Sequence, residues 1–212
     1  RYRLAVRTLA WTPQTSDVSV TSLVPARTLA ETAKALAGSQ LVTIALAAGG
    51  AGEGMIGLSG GGGDATNRRT TSRLLEGEFP KYRSLLPSES SAVAEVGTLP
   101  LVEAVRRVAL VAARNAPVRL SFSAEGVILE AGGGDDAQAS ERLDCEWRAD
   151  TSEAMQIAFN PTYLQEGLAA VDSDVTVLSF TGATRPAVLT GKSGSDDLAA
   201  YRYLLMPVRL SG

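Results

Sequence analysis

Few residues in this chain have the type and spacing for chemistry, and each candidate lacks a partner. Asp135-Asp136 and Asp196-Asp197 are adjacent carboxylates, the kind used to hold divalent cations or to do general acid–base work. Each pair lies in a Gly-, Ser- and Ala-rich stretch with no further ligand beside it, which reads as a solvated loop. Cys145 is the single cysteine and stands in a strand-like run between charged residues, with no base to activate it. The chain has no histidine. That removes Ser-His and Cys-His nucleophile pairs and the usual zinc ligand. The glycines from Gly49 to Gly63 would cradle a phosphate only if Gly-Lys-Ser/Thr opened a following helix. None does, so they read as hairpin tips. The expectation is a protein with no catalytic residue, no metal and no cofactor.

The remaining chemistry is that of binding, and three stretches carry it. The C-terminal run Tyr203-Leu204-Leu205-Met206-Pro207-Val208-Arg209-Leu210 is apolar on both alternating faces up to Pro207. A proline there removes a ladder bond, so the run is either a buried last strand or one wall of an apolar surface groove. From Thr98 a helical pattern runs to Asn115. It places Glu103, Arg106, Arg107 and Arg114 on one face, opposite Val102, Val105 and Ala109, with Leu110 among the arginines. Such a face is a solvated one by default, but a leucine within it also marks contacts with other chains. The third stretch is Leu75 to Pro87. Pro80 and Pro87 forbid a continuous helix or central strand, yet Leu75, Phe79, Tyr82, Leu85 and Leu86 are too apolar for a free linker. It is expected to be pinned along a surface, joining two domains.

The elements that position these stretches follow from periodicity. Strands are expected at Arg1 to Thr12, Val18 to Val24, Leu41 to Leu46, Met55 to Leu58 and Asn67 to Leu75, with a helix over Pro25 to Ala37. Leu29, Ala33 and Leu36 form its apolar stripe. After the helix from Thr98, strands are expected at Val118 to Phe122, Gly126 to Ala131, Ser140 to Trp147 and Met155 to Phe159. A helix opens at Asn160-Pro161, and strands follow at Val175 to Phe180, Pro186 to Thr190 and Tyr201 to Leu210. Leu29, Glu31, Ala33 and Leu36 recur as Leu164, Glu166, Leu168 and Val171 at a constant offset of 135, an internal repeat of strand, helix and three strands. The repeat count, with an opening Arg1-Tyr2-Arg3-Leu4 that looks like mid-strand, predicts a C-terminal fragment of a longer protein. At 212 residues, 45% hydrophobic and net charge −3, the chain is large enough for packed cores and carries no global basic signature. No apolar run is long enough to span a membrane. One cysteine fits a reducing compartment.

Glu76-Gly77-Glu78-Phe79-Pro80-Lys81-Tyr82 and Met206-Pro207-Val208-Arg209-Leu210 resemble motifs of the bacterial DNA polymerase III beta subunit, the sliding clamp family. Arg1-Tyr2-Arg3-Leu4-Ala5-Val6 and Phe159-Asn160-Pro161-Thr162-Tyr163 resemble two more, all in the family's order and spacing. The resemblance implies an α+β DNA clamp fold, with helices lining a hole and antiparallel sheets outside. It implies the second half of the middle domain at 1–87, with a connector at 75–87, and a C-terminal domain at 88–212. Family clamps are homodimeric rings that encircle double-stranded DNA without reading bases. A fragment lacking the upstream domain is expected not to close a ring. Partners implied are the DNA polymerase III alpha subunit, the clamp loader, other polymerases and repair proteins, which dock through short Gln-Leu-Phe motifs; a pocket-directed peptide inhibitor is a further possible ligand. The location implied is cytoplasmic, at the nucleoid.

By the same resemblance the docking pocket comprises Tyr2, Arg3, Leu4, Pro80, Leu85, Asn160, Tyr163, Pro186, Leu204, Met206, Pro207, Val208 and Arg209. Ser84 stands where some relatives carry a basic residue. DNA-facing candidates are Arg27, Lys34, Arg106, Arg107 and Arg114, and Ala109 and Leu110 fall at the ring-closing interface. The competing reading is a small-molecule-binding or hydrolytic α+β enzyme using the same groove; the missing histidine and nucleophile elbow weigh against it.

Overall fold

The computed structural model describes residues 2–14, 18–47, 54–62, 65–113, 116–132, 137–151, 153–192 and 201–209. Arg114, both aspartate pairs and much of the glycine-rich stretch lie outside these residues. In chain order the elements begin with β1 (Arg3–Arg7), α1 (Ala26–Leu36), β2 (Leu41–Ala47), β3 (Met55–Gly62) and β4 (Ala65–Arg73). A 3-10 turn, Tyr82–Leu85, leads to β5 (Ala92–Gly97), α2 (Thr98–Ala109), β6 (Val118–Ser123), β7 (Gly126–Gly132), β8 (Gln138–Leu143) and β9 (Glu146–Ala149). The chain continues through β10 (Met155–Phe159), α3 (Pro161–Leu168), β11 (Val175–Phe180), β12 (Ala187–Gly191) and β13 (Tyr201–Leu205).

Contacts divide these elements into two compact units, Arg1–Trp11 with Tyr82–Gly212, and Thr12–Lys81. In the larger unit a six-stranded antiparallel sheet runs β1-β13-β12-β11-β5-β9 and a four-stranded one runs β10-β6-β7-β8. Two strand-helix-three-strand repeats exchange their first strands. β5 pairs with β11 of the second repeat, and β10 pairs with β6 of the first. The helices pack against each other and on the sheets over one shared core. Phe122 lies at its centre, stacked on Trp147 at 5.3 Å and tilted against Phe180 at 5.2 Å. The regular alternation of buried and half-buried positions along β5, β6 and β11 is the period of two expected for strands with one face in a core.

The smaller unit is a three-stranded sheet, β2-β3-β4, carrying α1. Among the described residues its core is Leu36, Ile56 and Leu58, with Val24 and Leu74 packed beside them. α1 starts at Ala26, at the predicted offset of 135 from the start of α3 at Pro161. The buried residues of α1 are Thr32 and Leu36, while Leu29 is 41% exposed. The expected stripe is therefore rotated toward the short sheet.

Several boundaries differ from expectation, and the strand expected over Ser140 to Trp147 is split into β8 and β9, which belong to different sheets. Residues 18–24 form no strand; Leu23 instead accepts a single backbone bond from Leu75 at 2.7 Å. Gly60 and Gly61 lie inside β3 rather than at a tip, because a Cβ at Gly60 would meet Ser39 and one at Gly61 would meet Asn67. α2 ends at Ala109, and the N–H groups of Leu110, Val111 and Ala112 turn to carbonyls three residues back, a tightening typical of helix ends. Thr98 does not cap it; its hydroxyl meets that of Thr176 at 2.9 Å. Finally, β13 stops at Leu205, two residues before Pro207, which has no N–H to continue a ladder.

Candidate functional site

The first and last strands meet in the larger unit. β1 pairs antiparallel with β13, with Arg3 opposite Leu205 and Leu4 opposite Leu204, and Val188 of β12 sits opposite Leu204 on its other side. Alternation then assigns the faces. Leu205 and Tyr203 point into the core, so Arg3 lies on the side of α3, whereas Leu4, Leu204 and Val188 share the outer face. Beyond the ladder the Met206 N–H donates to the Tyr2 carbonyl at 2.9 Å, and the Val208 N–H to the Ala158 carbonyl at 2.8 Å. These two bonds hold the tail after β13 in place around Pro207. Tyr2 (58%), Met206 (39%) and Val208 remain exposed, as does Leu85 (52%) of the 3-10 turn. Buried strand and apolar surface are thus both present in one run: Leu205 is in the core, Leu204 is buried on the outer face, and Met206 and Val208 are exposed.

α3 supplies the polar side. Asn160 is its N-cap, accepting from the Tyr163 N–H at 3.1 Å, with Pro161 in the first turn. The Arg3 guanidinium lies 4.2 Å over the Tyr163 ring and is ion-paired with Glu166. The Tyr203 hydroxyl donates to the Tyr163 carbonyl at 2.9 Å, and the Tyr201 hydroxyl to the Gly167 carbonyl at 3.0 Å. Burial pushes the Tyr201 phenol up to about 12 and raises that of Tyr203, so both remain neutral donors. Pro186 and Pro207 are half-buried and Arg209 exposed. Pro80 is exposed and belongs to the smaller unit.

The cationic candidates differ in how committed they are. Arg107 forms a two-pronged pair with Glu141, at 3.1 and 2.5 Å, and reaches Glu103 at 3.5 Å. The hydrogen bond from Arg107 holds the Glu141 carboxyl below its ordinary range. Arg27 pairs with Glu31 at 2.9 Å. Arg106 and Lys34 are exposed and make no ion pair among the described residues. Ala109 is packed against the core, while Leu110 is 82% exposed, and α2 packs on β8, the edge strand of the four-stranded sheet.

Glu95 and the thiol are placed for structure. Glu95 is ion-paired with both Lys192 and Arg148 on the face of β5 away from the core, and Lys192 foremost keeps its carboxyl low. Burial pushes the neighbouring Cys145 thiol up to about 11, which leaves it protonated at neutral pH. Among the described residues no three Cys, Asp or Glu side chains come together as a metal-binding group. No described helix is long and apolar enough to cross a membrane.

Glu166, Tyr203 and Val188 were not among the site residues expected from sequence. Their link to the site is pairing register and helix packing, which no local pattern carries.

Two family profiles match the chain: the DNA polymerase III beta subunit central domain over residues 1–81 and its C-terminal domain over residues 83–209. The chain belongs to the DNA polymerase III beta subunit family. It is 56% identical to the beta sliding clamp of Streptomyces coelicolor over 214 residues, covering all of this chain and 55% of that protein. It is 43% identical to the beta sliding clamp homolog GriR of Streptomyces muensis, covering 99% and 54% of the two chains. The chain therefore spans about half the length of these relatives. Among solved structures it resembles the DNA polymerase sliding clamp of Bacillus subtilis, with TM-score 0.81 and 26% identity over 99% of this chain and 52% of that one. It also resembles a sliding clamp of Bartonella birtlesii bound to griselimycin, with TM-score 0.78 and 26% identity over the same shares. The α+β clamp fold is common to the family. The central-domain profile includes β1, although β1 lies by contact in the larger unit through its pairing with β13.

Proposed function

We propose that this chain is the part of a bacterial sliding clamp that carries its peptide-docking pocket. In this reading residues 1–87 are the second half of the middle clamp domain, with 75–87 as connector, and 88–212 are the C-terminal clamp domain. The whole protein is a homodimeric ring around double-stranded DNA. It acts as a tether for the polymerase alpha subunit, the clamp loader, other polymerases and repair proteins, and works in the cytoplasm at the nucleoid. No bond is made or broken by the chain itself, and no cofactor is required. Arg27, Lys34, Arg106, Arg107 and Arg114 make screened phosphate contacts that permit sliding, and Ala109 and Leu110 contribute to ring closure.

The observation that carries the reading is the strip at the β1–β13 edge. Tyr2, Met206 and Val208 are exposed there, on a strand whose Tyr201, Tyr203 and Leu205 pack into the core, with Arg3, Asn160 and Arg209 as polar groups of the proposed pocket; Leu85 is exposed as well. Such a mix suits a short linear peptide with two apolar anchors. Burying each anchor stabilises by about 1.5–3 kcal/mol. Ordering a flexible peptide offsets much of that, so an isolated motif binds at about micromolar strength and tethering supplies the rest. Weak, exchangeable docking suits a hub shared by several partners, and the same pocket would take a peptide inhibitor. Met206→Arg or Leu85→Arg is expected to abolish binding of a Gln-Leu-x-Leu-Phe peptide in calorimetry. Unchanged affinity in both variants sinks the pocket assignment.

A further inference from the structure

A groove of about 390 Å³ opens on the outer face of the six-stranded sheet. Its floor is Ser179, Val188, Thr190 and Arg202, and the segment 86–90 forms its wall. None of these residues belongs to the pocket proposed above, yet register and sequence set the two next to each other. Val188 is the register partner of Leu204, and Leu86, which lines the groove, follows Leu85. We infer that this groove reads an acidic residue flanking the apolar anchors of the docking peptide, with Arg202 as the specificity-determining cation. The inference rests on the peptide-docking reading of the β1–β13 edge.

Charge accounting singles out Arg202. The other cations on this sheet are already matched: Arg3 with Glu166, Arg7 with Asp172, and Arg148 and Lys192 with Glu95. Arg202 is half-buried and makes no ion pair among the described residues. Its partner on β1 is Val6, and the strand-borne groups lining the groove beside it are Ser179, Val188 and Thr190. Among the described residues the one carboxylate lining the groove is Glu89, on the exposed wall, and it does not pair with Arg202. Arg202 lies two residues from Leu204 on the same face, which is roughly 7 Å along a strand. An extended peptide seating an anchor over Leu204 therefore brings a side chain two positions away to the guanidinium. The recess is walled by Leu86, Pro87 and Val188, so a carboxylate there is less screened than at an open surface. The four hydroxyls of Ser88, Ser90, Ser179 and Thr190 can bond the peptide backbone without favouring any residue type.

The test compares three synthetic peptides on the chain by calorimetry. One is the Gln-Leu-x-Leu-Phe core with neutral Gln flanks, and the others carry Glu two positions outside the apolar anchors on one side or the other. One acid-flanked peptide is expected to bind roughly five- to tenfold tighter than the neutral one. That ratio should fall to about one in Arg202→Gln, persist in part in Arg202→Lys, rise in Glu89→Gln, and shrink as salt is added. Ratios near one for both acid-flanked peptides, or a gain that survives Arg202→Gln, overturn the inference. Failure of all three peptides to bind, or binding indifferent to Met206→Arg, overturns the docking reading instead. Comparing ratios within each variant removes any general loss of fold.

Discussion

Gly167 is the point where a single methyl group tests how the site is held. It sits in α3 with its Cα facing β13, and a Cβ added there would fall well inside the van der Waals radius of the Tyr203 ring. That ring cannot step aside cheaply, because its hydroxyl is bonded to the Tyr163 carbonyl at 2.9 Å and Tyr201 is stacked beside it. Gly167→Ala is therefore expected to push α3 off the sheet. Overpacking costs about 1–3 kcal/mol, and weakening the Tyr203–Tyr163 hydrogen bond adds about 1 kcal/mol. Against this, replacing glycine in a helix gains about 1 kcal/mol. The balance is a loss of about 1–3 kcal/mol, or roughly 3–10 °C in Tm for a unit of this size. Since α3 carries Asn160 and Tyr163, docking-peptide affinity should fall in parallel. Differential scanning calorimetry with peptide titration measures both. The sign is the discriminator: a variant stabilised by about 1 kcal/mol, as helix propensity alone dictates, would refute the packing argument.

Two further outcomes follow from charge. The Glu95 carboxyl is lowered chiefly by its hydrogen bond to Lys192, so its stabilising contribution is full above the ordinary carboxylate range and is lost as pH falls through the lowered value. Glu95→Gln should remove about 1 kcal/mol at pH 7 and flatten the acid limb of stability against pH, measured by urea titration; an unchanged acid limb counts against the pairing. Cys145, with its thiol pushed up to about 11 by burial, should label with maleimide at pH 7 far more slowly in the folded chain than in urea. Equal rates would place the thiol in water.

How much could be read from residues alone varied with the range of the physics involved. The start of α3 was legible because Asn160-Pro161 is a local cap, whereas the last strand, expected to run on to Leu210, stops at Leu205 ahead of Pro207, which lacks a donor. The repeat was legible because α1 and α3 begin at the same offset. Residues 18–24 looked like a strand by composition but lack a ladder partner, a property of tertiary structure rather than of propensity. In α1 the pattern favoured Leu29 and Ala33, but a three-stranded sheet with a three-residue core buries Thr32 instead. Arg107 looked like a free cation because Glu141, which engages it, lies on a strand 34 residues away. Val188 and Arg202 became relevant only through their register with Leu204, which turns on strand pairing and not on the residues themselves.

The pairing of β1 with β13 joins residues roughly two hundred positions apart, so one wall of the proposed pocket is held by a highly non-local contact. Loop-closure entropy rises only with the logarithm of that separation, about 0.6 kcal/mol for each doubling, so the ladder is stable once formed. So non-local a pairing is slow to form by its topology, and β1 is a five-residue edge strand, the kind of element that opens locally before a core does. A ligand touching Leu4 and Leu204 together binds only the docked state. At a hundred times its dissociation constant it would add about 2.7 kcal/mol to that state. Occupying the pocket thus closes the chain upon itself, and protection of the β1 amides in hydrogen exchange becomes a measure of occupancy.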